Sequence, residues 1–367
     1  MSMGKTIIFI LNSIEQQRCH KRIAEFITNG YEVKVYAFNR KCRKGKMSFV
    51  GYQVCMIGEF VNTLSYWRRI GIIRKGIKKV VEENKDLDGI YYLFNFDVAS
   101  ITYWMIDKPY IYEESDLMHT YISNAALRKG LNMLDEYIIR NSLLTVMTSE
   151  GFVKYHFKGC QPDYVCVIPN KLNPQVKEYP ILPKEKLQME HMKFGFVGDI
   201  RGKSLANFTK ILVTRFPQHE MHFFGGCDDC NMPFFEPFKG YKNIFFHGPF
   251  RNPCDLAKVY SQIDIVVSTY DAVYENVLYA EPNKIYEAIY FETPIIVSTG
   301  TFLAEKVSKL GIGFDVDAMN DETVSDFIRH LTAEQISERM KNEAAIDKDY
   351  SINENTAFFR KLKQVQL

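Results

Sequence analysis

The sequence predicts an α/β protein built from two doubly wound parallel-sheet domains, and three observations carry that prediction. At 367 residues the chain exceeds one ordinary α/β domain, so two of roughly 150–200 residues are expected. Short apolar, β-branched runs alternate with longer amphipathic stretches, the rhythm of βαβ units. That rhythm breaks over 173–189, where Pro174, Pro180 and Pro183 stand among charged residues, and then restarts.

In the first half, strands are expected at Thr6–Asn12, Glu32–Phe38, Gln53–Ile57, Ile90–Phe94, Tyr110–Glu113, Leu144–Thr148 and Tyr164–Pro169. A helix is expected over Gln16–Asn29, with Gly30 as its stop. The second half offers strands at Met192–Val197, Met221–Phe224, Asn243–His247, Ile263–Ser268 and Pro294–Ser298. The expected domains are 1–172 and 173–349, with an amphipathic terminal helix in 350–367 folding back on the first. Ligands of such sheets bind beyond the carboxyl ends of the strands, which in a tandem pair places the site in a cleft where the domains face each other.

Composition narrows the function. Hydrophobic residues make up 46% and charged residues 25%, an ordinary globular balance. A net charge of only +2 argues against a nucleic-acid partner, which would demand a dominant basic footprint. The apolar run Ile7–Leu11 is too short for a spanning helix and lacks a small-residue cleavage site, so a cytoplasmic protein is expected. The eight cysteines are scattered, as reduced thiols would be. Cys227 and Cys230 form a lone C-x-x-C in a Pro- and Phe-rich stretch, without the two further ligands zinc would need, and read as structural. Asp86–Asp88 and Asp315–Asp317 each spell D-x-D without the context of a metal motif. No metal and no cofactor is expected.

The most informative segment is Glu281-Pro282-Asn283-Lys284-Ile285-Tyr286-Glu287. Pro282 suits the first position of a helix. Asn283, Lys284 and Glu287 then share one face near its positive end, and a helix N-terminus with a lysine is a ready anion site. A carboxylate one turn deeper can accept two hydrogen bonds from a ribose diol. Together these features describe a grip on a nucleoside diphosphate.

This run resembles the P-N-K-x-x-E helix of retaining GT-B glycosyltransferases of the family 4 (group 1) type. Further pieces resemble that family in order: Val167-Ile168-Pro169-Asn170, Phe194–Lys203, Asn243–Phe250, Asp255–Tyr260, Ile263-Asp264-Ile265 and Leu303-Ala304-Glu305 through Gly313. The resemblance implies that Glu287 binds the ribose hydroxyls and that Arg201 and Lys203 hold the donor diphosphate. Gly198, Asn283, Lys284, Glu281 and Ser298 complete the expected donor contacts. Fixed cations where charge develops on a departing diphosphate do the work a metal would otherwise do. The implied reaction moves a sugar from a nucleotide-sugar donor to a glycan or lipid-linked acceptor in bacterial surface polysaccharide assembly. By analogy the anomeric configuration is retained, with the leaving phosphate deprotonating the acceptor.

The chain also departs from the family. Tyr279 stands where many members carry a second glutamate, which leaves the sugar contacts open. Ser115 replaces the histidine of a His-Asp pair, with Glu113, Glu114, Asp116 and His119 around it. Adjacent strand residues alternate faces, so at most one of Glu113 and Glu114 is expected to point into the cleft. Asn12, Ser13 and Arg18 replace a glycine-rich first loop. With Glu114, Asp116 and His119, they are the candidates for acceptor or cleft contacts. Alternatives are a nucleotide-sugar epimerase of the same architecture and a catalytically degenerate partner subunit. A dinucleotide-dependent oxidoreductase would need G-x-G-x-x-G after the first strand, which is missing.

Residues 66–81 form a basic amphipathic stretch, with Trp67, Ile70, Ile73, Ile77 and Val80 as an apolar stripe between arginines and lysines. Such a helix suits the anionic inner face of a membrane, in keeping with a lipid-linked acceptor. The competing reading is a domain helix whose stripe faces its own sheet.

Overall fold

A computed structural model describes residues 5–14, 16–40, 51–61 and 64–366, without the side chains of Gln17, Tyr66 and Trp67. The chain divides into two compact units, Met1–Ile168 with Asn355–Leu367, and Pro169–Glu354. Each is a doubly wound sheet whose pairings are all parallel.

The first unit holds β1 (Thr6–Leu11), β2 (Val33–Asn39), β3 (Val54–Glu59), β4 (Gly89–Phe94), β5 (Tyr110–Glu114), β6 (Leu144–Met147) and β7 (Val165–Val167), in the order β3-β2-β1-β4-β5-β6-β7. The second holds β8 (Lys193–Val197), β9 (Glu220–Phe224), β10 (Ile244–Gly248), β11 (Ile265–Ser268), β12 (Ile295–Ser298) and β13 (Gly313–Val316), in the order β10-β9-β8-β11-β12-β13. Both orders reverse beside the first strand of the unit, and that reversal opens a crevice at the strands' carboxyl ends.

Every residue of β1 and β4 is buried, because helices cover both faces of a parallel sheet. Phe9, Phe26, Tyr92 and Phe94 fill one side of the first unit, with Phe9 and Tyr92 rings 5.0 Å apart. The helix Thr356–Val365 closes this core. Its Phe358, Phe359 and Leu362 are buried, and the Phe359 ring lies edge-on to Phe26 at 5.0 Å. The proline-rich stretch belongs to the second unit. Pro174–Glu178 forms a 3-10 turn, and Leu172 just before it bridges to Ile352.

The basic stretch is the helix Tyr66–Glu83. Ile73, Ile77 and Val80 are buried against β3 and the helix Phe96–Thr102, so these three serve the core; Ile70 is half-buried, and the side chain of Trp67 lies outside the described residues. Gly76 is needed here: a side chain would stand 2.6 Å from the Ile57 carbonyl and against the Phe38 ring. Arg68, Arg74, Lys75, Lys78 and Lys79 are left on the exposed face.

Replacing Phe359 by alanine should cost about 3–5 kcal/mol, the usual range for a buried phenylalanine. Denaturant unfolding should show the loss in the transition of the first unit. A loss below about 1 kcal/mol would mean that the terminal helix is not part of that core.

Candidate functional site

In the second unit, the carboxyl ends of β8, β11 and β12 and the helix Lys284–Tyr290 bring the predicted donor residues together. The helix begins at Lys284 behind Asn283, so Pro282 lies two positions ahead of the first turn rather than in it. Its fixed φ still sets the approach of the chain. The side chain of Asn283 donates to Glu287 Oε1 at 2.6 Å, and Tyr260 donates to Glu287 Oε2 at 2.7 Å. These two bonds hold a carboxylate that is only 2% exposed in one orientation.

Lys284 is buried as well. Its ammonium lies 5.1 Å from the centre of the Phe196 ring, a cation–π contact. It occupies the space beside Gly198, where a Cβ would meet Nζ at 2.8 Å. Gly198 has φ 130°, and Gly225 on the neighbouring loop comes so close that a Cβ there would fall 1.9 Å from the Gly198 carbonyl oxygen. Two glycines in contact are what let the lysine reach this position.

Arg201 follows on an exposed loop, and Lys203, also exposed, opens the helix Lys203–Arg215. Among the described residues, no carboxylate lies within ion-pair distance of Arg201, Lys203 or Lys284. The guanidinium of Arg201 sits 5.9 Å from the Tyr270 ring, and the Lys203 ammonium 6.0 Å from that of Phe234. Burial alone would raise the Tyr270 phenol, but Lys284 and Arg201 beside it prevail and bring it below the usual value of 10.0. The loop is braced from behind. Asn231 Oδ1 accepts from the Gly202 amide at 3.1 Å, and Ile200 pairs with Cys227. The Cys227–Cys230 stretch thus supports this loop, and both cysteines are free thiols.

Two expected donor contacts are corrected. Glu281 is buried and turned inward, accepting from Lys306 at 2.7 Å and from the Tyr286 hydroxyl. Ser298 accepts from the Tyr270 amide at 2.8 Å and donates to its carbonyl at 2.7 Å. It fixes the backbone that carries Tyr270. Asp271, which the sequence reading missed, accepts from the amides of Lys203 and Ser204 at 3.2 and 2.7 Å, and so occupies the N-terminus of the helix Lys203–Arg215. The signal for Tyr270 and Asp271 was their place just past the end of β11.

In the first unit, part of the predicted group assembles at the carboxyl ends of β1, β4 and β5. Arg18 stands 3.6 Å from Asp116 and donates to Asn95 Oδ1 at 3.3 Å. Asn12 is buried. Its side chain reaches Asp97 Oδ1 at 3.4 Å, and its carbonyl accepts from Arg40, which pairs with Asp97 at 2.7 Å. Ser13 is buried beside it. Asn95 has φ 67° and ψ 159°, a region nearly closed to residues with side chains, and such strain concentrates at functional sites.

Glu114 and His119 leave the list of cleft candidates. Both are enclosed, at 0% and 1% exposure. Glu113 is enclosed too, accepting from Arg22 at 3.1 Å and from the Tyr92 hydroxyl. Glu114 meets His156 at 3.0 Å and faces Asp135. Burial pushes its carboxyl up to about 8, with His156 opposing and Asp135 adding to the rise.

The Tyr270 arrangement can be read by ultraviolet titration of the phenols. The wild type should show a phenol ionisation below pH 10 that is absent from Tyr270→Phe. In Lys284→Ala that ionisation should move upward, since burial then meets less opposition. An unchanged titration in Lys284→Ala would place the ammonium elsewhere.

No family model matches the sequence, and no curated protein matches it. Solved structures do match along the whole chain. Sucrose-phosphate synthase from Thermosynechococcus elongatus superimposes with a TM-score of 0.72 at 14% identity, over 99% of this chain and 98% of that one. HepE of Anabaena, in complex with UDP and glucose, does so with a TM-score of 0.68 at 14% identity, over 99% and 100%. A protein of Listeria monocytogenes described as a UDP-N-acetylglucosamine 2-epimerase gives 0.62 at 10%, over 99% and 97%. At these identities the likeness establishes the fold: two Rossmann-like α/β domains of the GT-B type.

Proposed function

We propose that this protein is a glycosyltransferase that takes its sugar from a nucleoside-diphosphate sugar. The observation that carries the proposal is the group Arg201, Lys203 and Lys284, three cations without a carboxylate partner among the described residues, at the carboxyl ends of the strands of the second unit. Fixed cations lower the cost of charge on a departing diphosphate, the enclosed Lys284 above all. Glu287, held by Tyr260 and Asn283, is the group for a ribose diol. The GT-B fold supports this reading, and the HepE structure holds UDP and glucose on that fold.

On this reading Arg201 meets the diphosphate bidentately and Lys284 neutralises it from within. The transfer proceeds with retention and without a metal at the diphosphate, the leaving phosphate taking the acceptor's proton. Arg18 and Asp116 at the end of the first sheet are the groups for the acceptor. A lipid-linked acceptor of surface polysaccharide assembly would suit the exposed basic face of the helix Tyr66–Glu83. Its attraction to an anionic surface would be electrostatic, as Ile73, Ile77 and Val80 beneath are used by the core. No helix among the described residues is long and apolar enough to cross a membrane.

The test is thermal unfolding with UDP, GDP, ADP, CMP or NAD. A nucleotide at 100 times its Kd should add about 2.7 kcal/mol of stability, a rise of roughly a few degrees. One nucleoside diphosphate should give that rise, and Glu287→Ala and Lys284→Ala should lose it. A response to NAD alone, or to none of the five, would overturn the proposal. Conversion of the donor sugar to its epimer without acceptor would replace transfer by epimerisation.

A further inference from the structure

At the carboxyl end of β5, close to Asp116 in sequence, four ionisable side chains from four elements of the first unit converge. Glu114 ends β5, Asp135 lies in the helix Ala125–Asn141, His156 lies in the helix Glu150–Phe157, and His119 stands in the short 3-10 turn Met118–Tyr121. Their side chains are 0–1% exposed. One potential ligand atom from each of Glu114, Asp135 and His156 lies within 4.8 Å of the other two. His156 Nε2 is 3.0 Å from Glu114 Oε1, and His119 Nδ1 is 3.1 Å from Asp135 Oδ2.

Some of the polar atoms in this group are hydrogen-bonded and others are not. Tyr112 donates to Asp135 Oδ1 at 2.9 Å, and the Tyr155 hydroxyl meets His119 Nε2 at 3.1 Å. Glu114 Oε2, Asp135 Oδ2, His119 Nδ1 and His156 Nδ1 have no hydrogen-bond partner, although all four atoms are buried. The 3.1 Å approach of His119 to Asp135 is not aligned as a hydrogen bond. Such orphaned atoms are rare in a folded interior, and four in one cluster call for a missing group.

We propose that Glu114, Asp135 and His156 bind a divalent transition-metal ion, of which zinc fits first, with Tyr112 holding Asp135 through its Oδ1 and His119 beside it. Two carboxylates and neutral imidazoles carry the charge a divalent cation cancels, whereas two enclosed carboxylates without a cation repel each other. Nitrogen and oxygen donors at about 2.0–2.2 Å from zinc stand roughly 3.3–3.6 Å apart in a tetrahedral shell. The 3.0 Å hydrogen bond between His156 Nε2 and Glu114 Oε1 would open by a few tenths of an ångström to admit the ion. An imidazole or hydroxyl behind a ligating carboxylate is the usual outer support of such a shell. The ion would tie β5 to the helices of Asp135 and His156, and enclosure makes its role structural, since no substrate reaches it. Metal binding of this kind accompanies folding.

The experiment is metal analysis of the intact protein after gel filtration, and again after unfolding and refolding with Zn²⁺, Mn²⁺ or a chelator. The expected result is about one equivalent of metal per chain and a lower Tm after refolding with chelator. Refolding with Co²⁺ should give visible ligand-field bands. Glu114→Gln and Asp135→Asn, which keep shape and remove charge, should lose the metal and the bands. Glu343→Gln, another buried carboxylate, should keep both. Below about a tenth of an equivalent in the wild type, with the same Tm after either refolding, the proposal falls and a shared proton joins Glu114 to Asp135. The wild-type measurement decides even if a variant fails to fold. Metal retained unchanged by both folded variants would also overturn it.

Discussion

The arrangement of the second unit depends on Lys284, whose ammonium is placed inside the protein against a glycine and an aromatic ring. An enclosed charge is costly unless something offsets it. Here the Phe196 ring and the Tyr270 phenol do so, and neither carries a fixed negative charge. The lysine reaches its place only because Gly198 and Gly225 let two loops touch. Those loops in turn set the position of Arg201, which Asn231 braces through the Gly202 amide. A substitution at either glycine would therefore move the cations together. Ser298, bonded twice to the Tyr270 backbone, fixes the opposite wall by the same means.

The expectation of two doubly wound sheets came from β-branched runs, and it succeeded where strands are wholly buried, as in Ile7–Leu11 and Ile265–Ser268. It passed over β13, because Gly313-Phe314-Asp315-Val316 mixes glycine and aspartate into a short edge strand. The neighbours of a residue in sequence were legible too: Asn283 and Glu287, four apart on a helix, do bond to each other. Tyr260 lies 27 residues from Glu287 and Lys306 lies 25 from Glu281. Pairings of that kind are set by how elements pack, and no local pattern records them. Glu281 therefore reads as a ligand in sequence and proves to be an internal ion pair.

Glu113 and Glu114 show a sharper limit. Strand alternation placed them on opposite faces, and the structure agrees: one meets Arg22 and Tyr92, the other His156 and Asp135. At most one was expected to point into the cleft, and both are enclosed, so neither face of the strand is open there. In an antiparallel sheet one face often is, but a parallel sheet is covered on both sides. Each glutamate consequently needed a partner from a covering helix. The sequence carries those partners as ordinary-looking residues, Arg22 midway along one helix and His156 near the end of another.

GT-B proteins act on unlike substrates, so the fold alone does not name a ligand. What distinguishes one site from another is local charge that the protein leaves unbalanced. In the second unit the imbalance is positive: three cations gather at the strand ends, and the carboxylate of Asp271 beside them is engaged by backbone amides. An anion is what such a site lacks. In the first unit the imbalance is the reverse. Glu113 has Arg22, but Glu114 and Asp135 have only imidazoles and hydroxyls around them. Surface charges of either kind would be neutralised by water and salt. Enclosed ones such as Lys284, Glu114 and Asp135 are not, and the sign of each deficit indicates what would satisfy it: an anion at one site, and a cation or a proton at the other.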